Sequence, residues 1–286
     1  AGDASTARRL YSLLIAPLEG RLAGERLVVV PYGSLHQLPF ETLRDEKGYL
    51  VSRWDLTYLP SASVLKHLKR RDAASGRLPT LLAVVDPDTD YNRDGKPDMP
   101  PLPHAREEVA GFAPSFGQKS LLVGAEALKL ACQRDASMYD VIHYACHGEF
   151  YPARPWASSL FLAPGVVDGV RDDGRLRASE VYALDLRRSR LVALSGCETG
   201  RSQVSPGDDA VSIGTAFLHS GASSLLVSLW KVEDQATAAL MKAFYEKWVR
   251  EGKDKGRALR ESKIELMASR FPHPRQWGAF VLMGEP

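Results

Sequence analysis

Short apolar runs alternate with amphipathic segments along most of the chain. The runs of strand length are 27–30, 81–85, 121–123, 141–145, 160–162, 191–194, 225–229 and 280–283. Most of them are continuously aliphatic, as in parallel strands that are covered on both faces. The pattern predicts an α/β fold, in which helices flank a central, mainly parallel sheet as a three-layer sandwich.

The helical segments are clearest toward the carboxyl end. Between 236 and 249, apolar residues recur at Ala236, Leu240, Ala243, Phe244 and Trp248, which predicts an amphipathic surface helix. A second helix is predicted over 255–270, where a Phe-Pro-His-Pro sequence ends it. An apolar stripe near the start of the chain predicts a further helix there, and we interpret the chain as an excised domain.

Charge and cysteine content narrow the classes of partner. The 286 residues include 37 Lys and Arg against 35 Asp and Glu, a net charge of +2. This balance gives no electrostatic reason to expect nucleic acid or an anionic membrane, so a protein or peptide is the predicted partner. Three cysteines do not form a disulfide framework, and no run reaches the roughly 20 apolar residues that cross a bilayer. We expect a soluble protein of the cytoplasm.

Two loops stand out by composition. In the segment 86–103, the side chains of Asp90, Asn92, Asp94 and Asp98 have the spacing of a calcium-binding loop, with Gly95 at the turn. The carboxylate expected at the twelfth position is missing, because Pro101 stands there. We predict no required cofactor, and calcium and a solvated turn stay open for this loop. The charged segment 165–177 is either a hairpin connection or a loop that gates substrate or is processed.

The residues with the strongest chemical signal follow two of the predicted strands. His147 and Gly148 come just after the run 141–145, and Cys197 follows the run 191–194 within Ser195-Gly196-Cys197-Glu198-Thr199-Gly200. The carboxyl ends of strands are where open α/β sheets build their sites. A thiol and an imidazole placed there form a nucleophile and its base, so the sequence predicts a Cys-His dyad.

These residue types also have structural and metal-binding interpretations. A lone cysteine is usually a small buried hydrophobe, and we assign Cys132 and Cys146 that packing role. His143 and His147 have a metal-ligand spacing only on a helix, and their segment is a predicted strand, so zinc is not expected. His143 is predicted to be a buried histidine whose ring bonds the neighbouring backbone.

The chain resembles the CHAT family, caspase-like peptidases commonly fused to tetratricopeptide repeats. Cys197 lies 50 residues after His147, close to the separation found in caspases. The segments that carry the resemblance are 30–40, 59–63, 102–108, 140–148, 191–200, 228–234 and 277–284. Two departures are Cys146, where the family often has threonine, and the insertion-like loop 90–98.

The resemblance implies a caspase-like fold, in which residues 1–120 form a degenerate half and residues 121–286 the catalytic half, packed as one unit. It implies peptide-bond hydrolysis by Cys197 and His147, with the backbone amides of Gly148 and Cys197 as oxyanion donors. It also implies control by an amino-terminal repeat domain or an activator protein, and a role in bacterial defence or cell death.

Substrate selection depends on the pocket beside the thiol, where relatives that cut after Arg or Lys use a carboxylate. Asp208, Asp209 and Asp234 are the candidates, and each could instead cap a helix. A medium-sized apolar residue before the scissile bond is the alternative to a basic one. The sequence also leaves open a silent scaffold module and a transpeptidase that uses the same thioester.

Overall fold

The computed structural model describes residues 4–66, 77–92, 94–149, 151, 154–195, 203–204, 210–211 and 213–286. Its centre is a sheet of eight strands: β1 (Arg26–Val29), β2 (Asp55–Tyr58), β3 (Leu81–Pro87), β4 (Lys119–Gly124), β5 (Val141–Ala145), β6 (Leu191–Leu194), β7 (Ser224–Ser228) and β8 (Phe280–Gly284). Across the sheet they lie in the order β1, β2, β8, β7, β6, β5, β3, β4. Only the pairing of β7 with β8 is antiparallel, so the predicted mainly parallel sheet is confirmed.

In the described part of the chain, eight α-helices connect or flank these strands: α1 (Ala4–Leu14), α2 (Pro103–Phe112), α3 (Lys129–Asp135), α4 (Ala178–Val181), α5 (Ile213–His219), α6 (Asp234–Tyr245), α7 (Lys255–Met267) and α8 (Pro274–Trp277). Shorter 3-10 segments are Ala16–Arg21, Gly33–Gln37, Phe40–Thr42, Leu50–Ser52, Ala62–Lys66, Ala113–Ser115, Ala136–Met138 and Pro155–Ala157. A π-helical turn, Glu246–Arg250, continues α6.

Neighbouring side chains of β5 show that helices cover both faces of the sheet. His143 packs against Phe112 of α2 and Tyr245 of α6, at ring-centroid distances of 4.8 and 5.9 Å. The next residue, Tyr144, points the other way, to Cys132 of α3 and Phe217 of α5. Since successive strand residues face opposite sides, the helices form two outer layers.

The core is aliphatic because the inner strands are buried on both faces. β3, β5, β6 and β7 are fully buried along their length. Each buried aliphatic side chain contributes roughly 1.5–3 kcal/mol relative to an exposed one. Residues 1–120 and 121–286 both contribute strands to this sheet, and their division into two halves stays a prediction.

One apolar run differs from its predicted role. Residues 160–162 were expected to join the main sheet, but the strand here is Ser159–Phe161, in a separate antiparallel sheet with Gly148–Glu149 and Arg175–Arg177. Parallel pairing needs a long crossover, usually an α-helix, and the described residues between β5 and Ser159 form only the short strand Gly148–Glu149 and a 3-10 turn.

Several two-stranded ribbons complete the structure. Gly165–Val167 and Val170–Asp172 form a hairpin whose turn residues, Asp168 and Gly169, both have positive φ, 52° and 79°. This is the geometry of a two-residue hairpin loop, so the hairpin alternative for this segment is confirmed. The remaining short strands are Arg44–Asp45 with Gly48–Tyr49, and Gln203–Val204 with Ala210–Val211.

Candidate active site

A cleft lies at the carboxyl ends of β5, β6 and β7. Its lining includes His147 just after β5, Ser195 just after β6, Ser228 at the end of β7, and Asp234 at the start of α6. Leu102 and Glu108 close it from the side of α2. The sheet edge predicted to carry the site therefore does carry a cleft, and His147 lies in it.

The imidazole of His147 is held by a backbone group that sequence reasoning did not identify. Its Nε2 lies 2.8 Å from the carbonyl oxygen of Pro100, in the loop that precedes α2. A carbonyl oxygen can only accept, so Nε2 carries the proton and donates it. Nδ1 has no partner among the described residues and is the nitrogen left to accept a proton.

Asp86 fixes the loop that supplies this carbonyl. It lies at the end of β3 with a φ of 45°, and its Oδ1 accepts a hydrogen bond from the Leu102 amide at 2.7 Å. Its Oδ2 accepts from Arg106 Nε at 2.8 Å. The loop is thus attached to the sheet two residues after Pro100.

Behind His147, a second histidine belongs to a buried polar group. His143 is fully buried, and its Nδ1 lies 3.1 Å from the Tyr245 hydroxyl. Its Nε2 lies 3.0 Å from Glu108 Oε1, at an angle unfavourable for a hydrogen bond. Burial and the Glu108 charge raise the pKa of Tyr245 far above its usual value. His143 is buried as predicted, but its ring faces side chains; the prediction that it bonds the neighbouring backbone was wrong, because α2 and α6 place polar groups over it.

Sequence reasoning also missed Glu108 and Ser195. The carboxylate Oε2 of Glu108 accepts a hydrogen bond from Ser195 Oγ at 2.9 Å. A signal for Glu108 was present: Ala105, Glu108, Val109 and Phe112 are spaced as one helical face, and the last three are buried. A carboxylate on the inward face of a helix indicates a polar partner across the interface.

The two other cysteines that the structure describes are buried. Burial raises the pKa of the Cys132 thiol to about 12, against the opposing effect of its hydrogen bond with the Tyr144 hydroxyl. Burial likewise raises the pKa of Cys146. A thiol becomes a nucleophile only as thiolate, so both are packing residues, as predicted.

Several predicted site residues lie outside the described residues. They are Cys197, Asp208 and Asp209, so the dyad geometry and two of the three pocket aspartates stay predictions. Gly148 is described and begins the short strand that pairs with Leu160. Its amide as an oxyanion donor also stays a prediction.

Asp234 is the pocket aspartate that the structure describes. It is exposed, lines the same cleft as His147, and is the first residue of α6, where Glu233 holds the N-cap position. Among the described residues, its carboxylate has no cation or hydrogen-bond partner. This leaves the group available to a ligand in the cleft.

In the candidate calcium loop, carboxylates accept hydrogen bonds from the loop's own backbone amides. Asp90 accepts from the amides of Asp94 and Gly95 at 3.1 and 2.9 Å, and Asp98 accepts from the amides of Tyr91 and Asn92 at 2.7 and 3.3 Å. Within the described part of the chain, no three His, Cys, Asp or Glu side chains cluster as metal ligands. Calcium and a solvated turn both stay open for this loop. No described helix is both long and apolar enough to cross a membrane.

Solved structures share this architecture. The Saccharomyces cerevisiae separase in its securin complex matches 93% of this chain and 16% of its own, with a TM-score of 0.61 at 15% identity. The structure of a protease matches 99% of this chain and 67% of its own, with a TM-score of 0.55 at 11% identity. The complex of the pro- and mature domains of RgpB from Porphyromonas gingivalis gives 0.51 at 10% identity, over 81% of this chain and 55% of its own. These likenesses confirm the predicted caspase-like α/β fold.

Sequence comparison identifies the family. Tetratricopeptide repeat protein 28 from Homo sapiens is 28% identical over 338 aligned residues, and the Mus musculus protein is 27% identical over 335. Each alignment takes in 97% of this chain but only 13% of the relative, so the chain spans a small part of those proteins. The family model described as the CHAT domain matches residues 4–285. With the family match covering nearly the whole chain, the protein belongs to the CHAT domain family.

Proposed function

We propose that this chain is a cysteine endopeptidase that uses Cys197 and His147. The observation that carries the proposal is the state of His147: its imidazole lies in the cleft, Nε2 is fixed on the Pro100 carbonyl, and Nδ1 is left to exchange a proton. The likeness to solved proteases supports the fold that this chemistry uses.

In the first half of the reaction, the Cys197 thiol gives its proton to Nδ1 of His147, and the sulfur bonds to the scissile carbonyl carbon. Backbone amides, with Gly148 and Cys197 as candidates, stabilise the oxyanion. The carbon–nitrogen bond then breaks, and the leaving amine takes the proton from Nδ1.

In the second half, a water molecule gives a proton to Nδ1 and its oxygen bonds to the thioester carbon. The carbon–sulfur bond breaks, and the proton returns to the sulfur. Throughout both halves, the Pro100 carbonyl keeps the ring orientation and stabilises the imidazolium, because it accepts from Nε2 in either protonation state.

The cleft favours a basic residue before the scissile bond. The Asp234 carboxylate faces the cleft without a cation among the described residues, and an Arg or Lys side chain of a substrate would supply one. A protein substrate and control by an attached repeat domain are part of the proposal, supported by the repeat-protein names of the two relatives. The pathway, including bacterial defence, stays a prediction.

The experiment is hydrolysis of a fluorogenic peptide library varied at the residue before the scissile bond. Cys197→Ala and His147→Ala are expected to lower turnover about a thousandfold or more. Cys132→Ala is the matched cysteine control and is expected to retain activity. Turnover by Cys197→Ala at the wild-type rate would overturn the proposal, whereas aminolysis in place of hydrolysis would indicate a transpeptidase.

A further inference from the structure

Glu108 is a carboxylate with a location that requires explanation. It belongs to α2, is 5% exposed, and faces the carboxyl ends of the sheet strands. Removing an ionised carboxylate from water is unfavourable unless hydrogen bonds or charges compensate it. The partners of Glu108 should therefore indicate its role.

One partner follows β6 and the other belongs to β5, the two strands that precede the predicted dyad residues. The hydroxyl of Ser195, just after β6, donates a hydrogen bond to Oε2 of Glu108, and His143 of β5 lies beside Oε1. The Ser195 amide also donates to the Tyr144 carbonyl oxygen at 2.8 Å. Ser195 is thus held by β5 through its backbone and by α2 through its side chain.

The position of Ser195 constrains the nucleophile. Cys197 follows Ser195 by two residues in the sequence, so the backbone links the predicted nucleophile to Ser195 through a single intervening residue. Ser195 and His147 line the same cleft. A shift of Ser195 therefore changes where the thiol can lie relative to the imidazole.

We propose that Glu108 is a positioning residue: through its hydrogen bond with Ser195, it holds the start of the Cys197 segment against His147. The inference rests on the proposed peptidase function for its kinetic readout only. Glu108 acts through Ser195 and does not contact the scissile bond. Tyr245, which binds the far side of His143, keeps that ring packed under the carboxylate.

The test compares Ser195→Ala, Glu108→Ala and Glu108→Gln with the wild-type chain. Ser195→Ala removes one hydroxyl and leaves the buried charge in place, so it reports on positioning even where Glu108→Ala fails to fold. A misplacement of about 1 Å can cost about a hundredfold in rate. We expect Ser195→Ala to lower kcat about ten- to a hundredfold, with KM changed less than about threefold.

Because Ser195 and Glu108 form one hydrogen bond, substitutions of the two residues should not have independent effects on activity. The double variant Ser195→Ala, Glu108→Ala is expected to lose no more activity than the worse single variant. Glu108→Gln keeps an oxygen that accepts from Ser195 and is expected to recover most of the loss seen in Glu108→Ala. Glu107→Gln is the matched control, since this neighbouring carboxylate is exposed and pairs with His104 at 3.1 Å.

A second readout needs no peptide substrate. The rate of Cys197 alkylation by iodoacetamide, followed by mass spectrometry of its peptide, reports on thiolate formed beside His147. Ser195→Ala is expected to slow it about tenfold, while the buried Cys132 and Cys146 stay unmodified in all variants. Because alkylation needs no turnover, its rates decide the role of Glu108 whatever the outcome of the peptidase assay.

Two results would overturn the positioning role. One is Ser195→Ala with wild-type kcat and a wild-type alkylation rate. The other is a Glu108→Gln variant that loses the preference for basic residues and has a raised KM, while Ser195→Ala keeps wild-type kinetics. That result would make Glu108 a direct substrate contact.

Discussion

The carboxylate of Asp86 accepts a hydrogen bond from the amide of Leu102, which lies sixteen positions later in the sequence. Leu102 lies two residues after Pro100, whose carbonyl oxygen binds His147. The end of β3 thereby determines where the backbone acceptor of the imidazole lies. The geometry of His147 depends on a residue that does not touch it.

Asp86→Ala should impair both stability and turnover. The variant loses the Leu102 acceptor and the Arg106 ion pair, and alanine disfavours the left-handed φ of 45°. Unfolding in urea should show a loss of about 2–3 kcal/mol, with kcat reduced because Pro100 is no longer held. Asp86→Asn tolerates this φ and keeps an acceptor, so it should recover most of both losses. Equal behaviour of the two variants would contradict the role of the Leu102 bond.

Asp234→Asn should act on substrate preference rather than on the reaction. A hydrogen bond with a charged partner contributes roughly 1.5–3 kcal/mol, so kcat/KM for peptides with Arg before the scissile bond should fall about ten- to a hundredfold. Peptides with an apolar residue there should be cleaved as before. Asp168→Asn is the control, because Asp168 lies in the exposed hairpin turn. A loss shared by both peptide classes would place the effect of Asp234 elsewhere.

Much of the sheet could be predicted from the sequence because buried parallel strands are continuous aliphatic runs. β5 and β6 were predicted at their observed limits, which fixed the location of His147. β2 was missed: its Asp55-Leu56-Thr57-Tyr58 pattern alternates polar and apolar residues although all four are buried. A buried strand that contains polar residues cannot be recognised from its hydrophobic pattern alone.

The support of the site could not be predicted in the same way. Pro100 acts through its backbone carbonyl, which every residue has, and it lies 47 residues from His147. Glu108 and Ser195 are 87 residues apart, and only the crossing of α2 over the ends of β5 and β6 brings them together. Such contacts depend on how elements pack, which the periodicity of one element does not specify.

Lys263→Met should destabilise the fold strongly. The ammonium of Lys263 lies 3.1 Å from Glu41 Oε1, both side chains are 1% exposed, and Tyr58 also donates to Glu41. Removing the cation leaves a buried carboxylate, which costs about 3–5 kcal/mol, measured by urea unfolding.

A double variant, Lys263→Met with Glu41→Gln, removes both charges and should lose less stability than Lys263→Met alone. The control is Lys247→Met, whose partner Glu265 is 60% exposed, and a change within about 1 kcal/mol is expected. A double variant less stable than Lys263→Met would show that the unpaired charge of Glu41 does not cause the destabilisation.

Titration of Lys255 should make the free energy of unfolding vary with pH in the alkaline range. It is 4% exposed at the start of α7, and burial lowers the pKa of its ammonium to about 8, with Arg190 acting in the same direction and Glu285 and Asp254 opposing it. In the unfolded chain a lysine has a pKa of about 10.4, so between about pH 8 and 10.4 the unfolded chain binds more protons than the folded one. The contribution of Lys255 to the free energy of unfolding therefore rises with pH across that interval.

The measurement is urea unfolding of the wild-type chain and of Lys255→Met at a series of pH values. Subtracting the two removes the titration of groups that they share. The difference, wild type minus variant, should be constant below about pH 8 and then rise by about 3 kcal/mol toward pH 10.4. A difference that falls over this range would mean that Glu285, 3.7 Å from the ammonium, stabilises the charged form more than burial disfavours it.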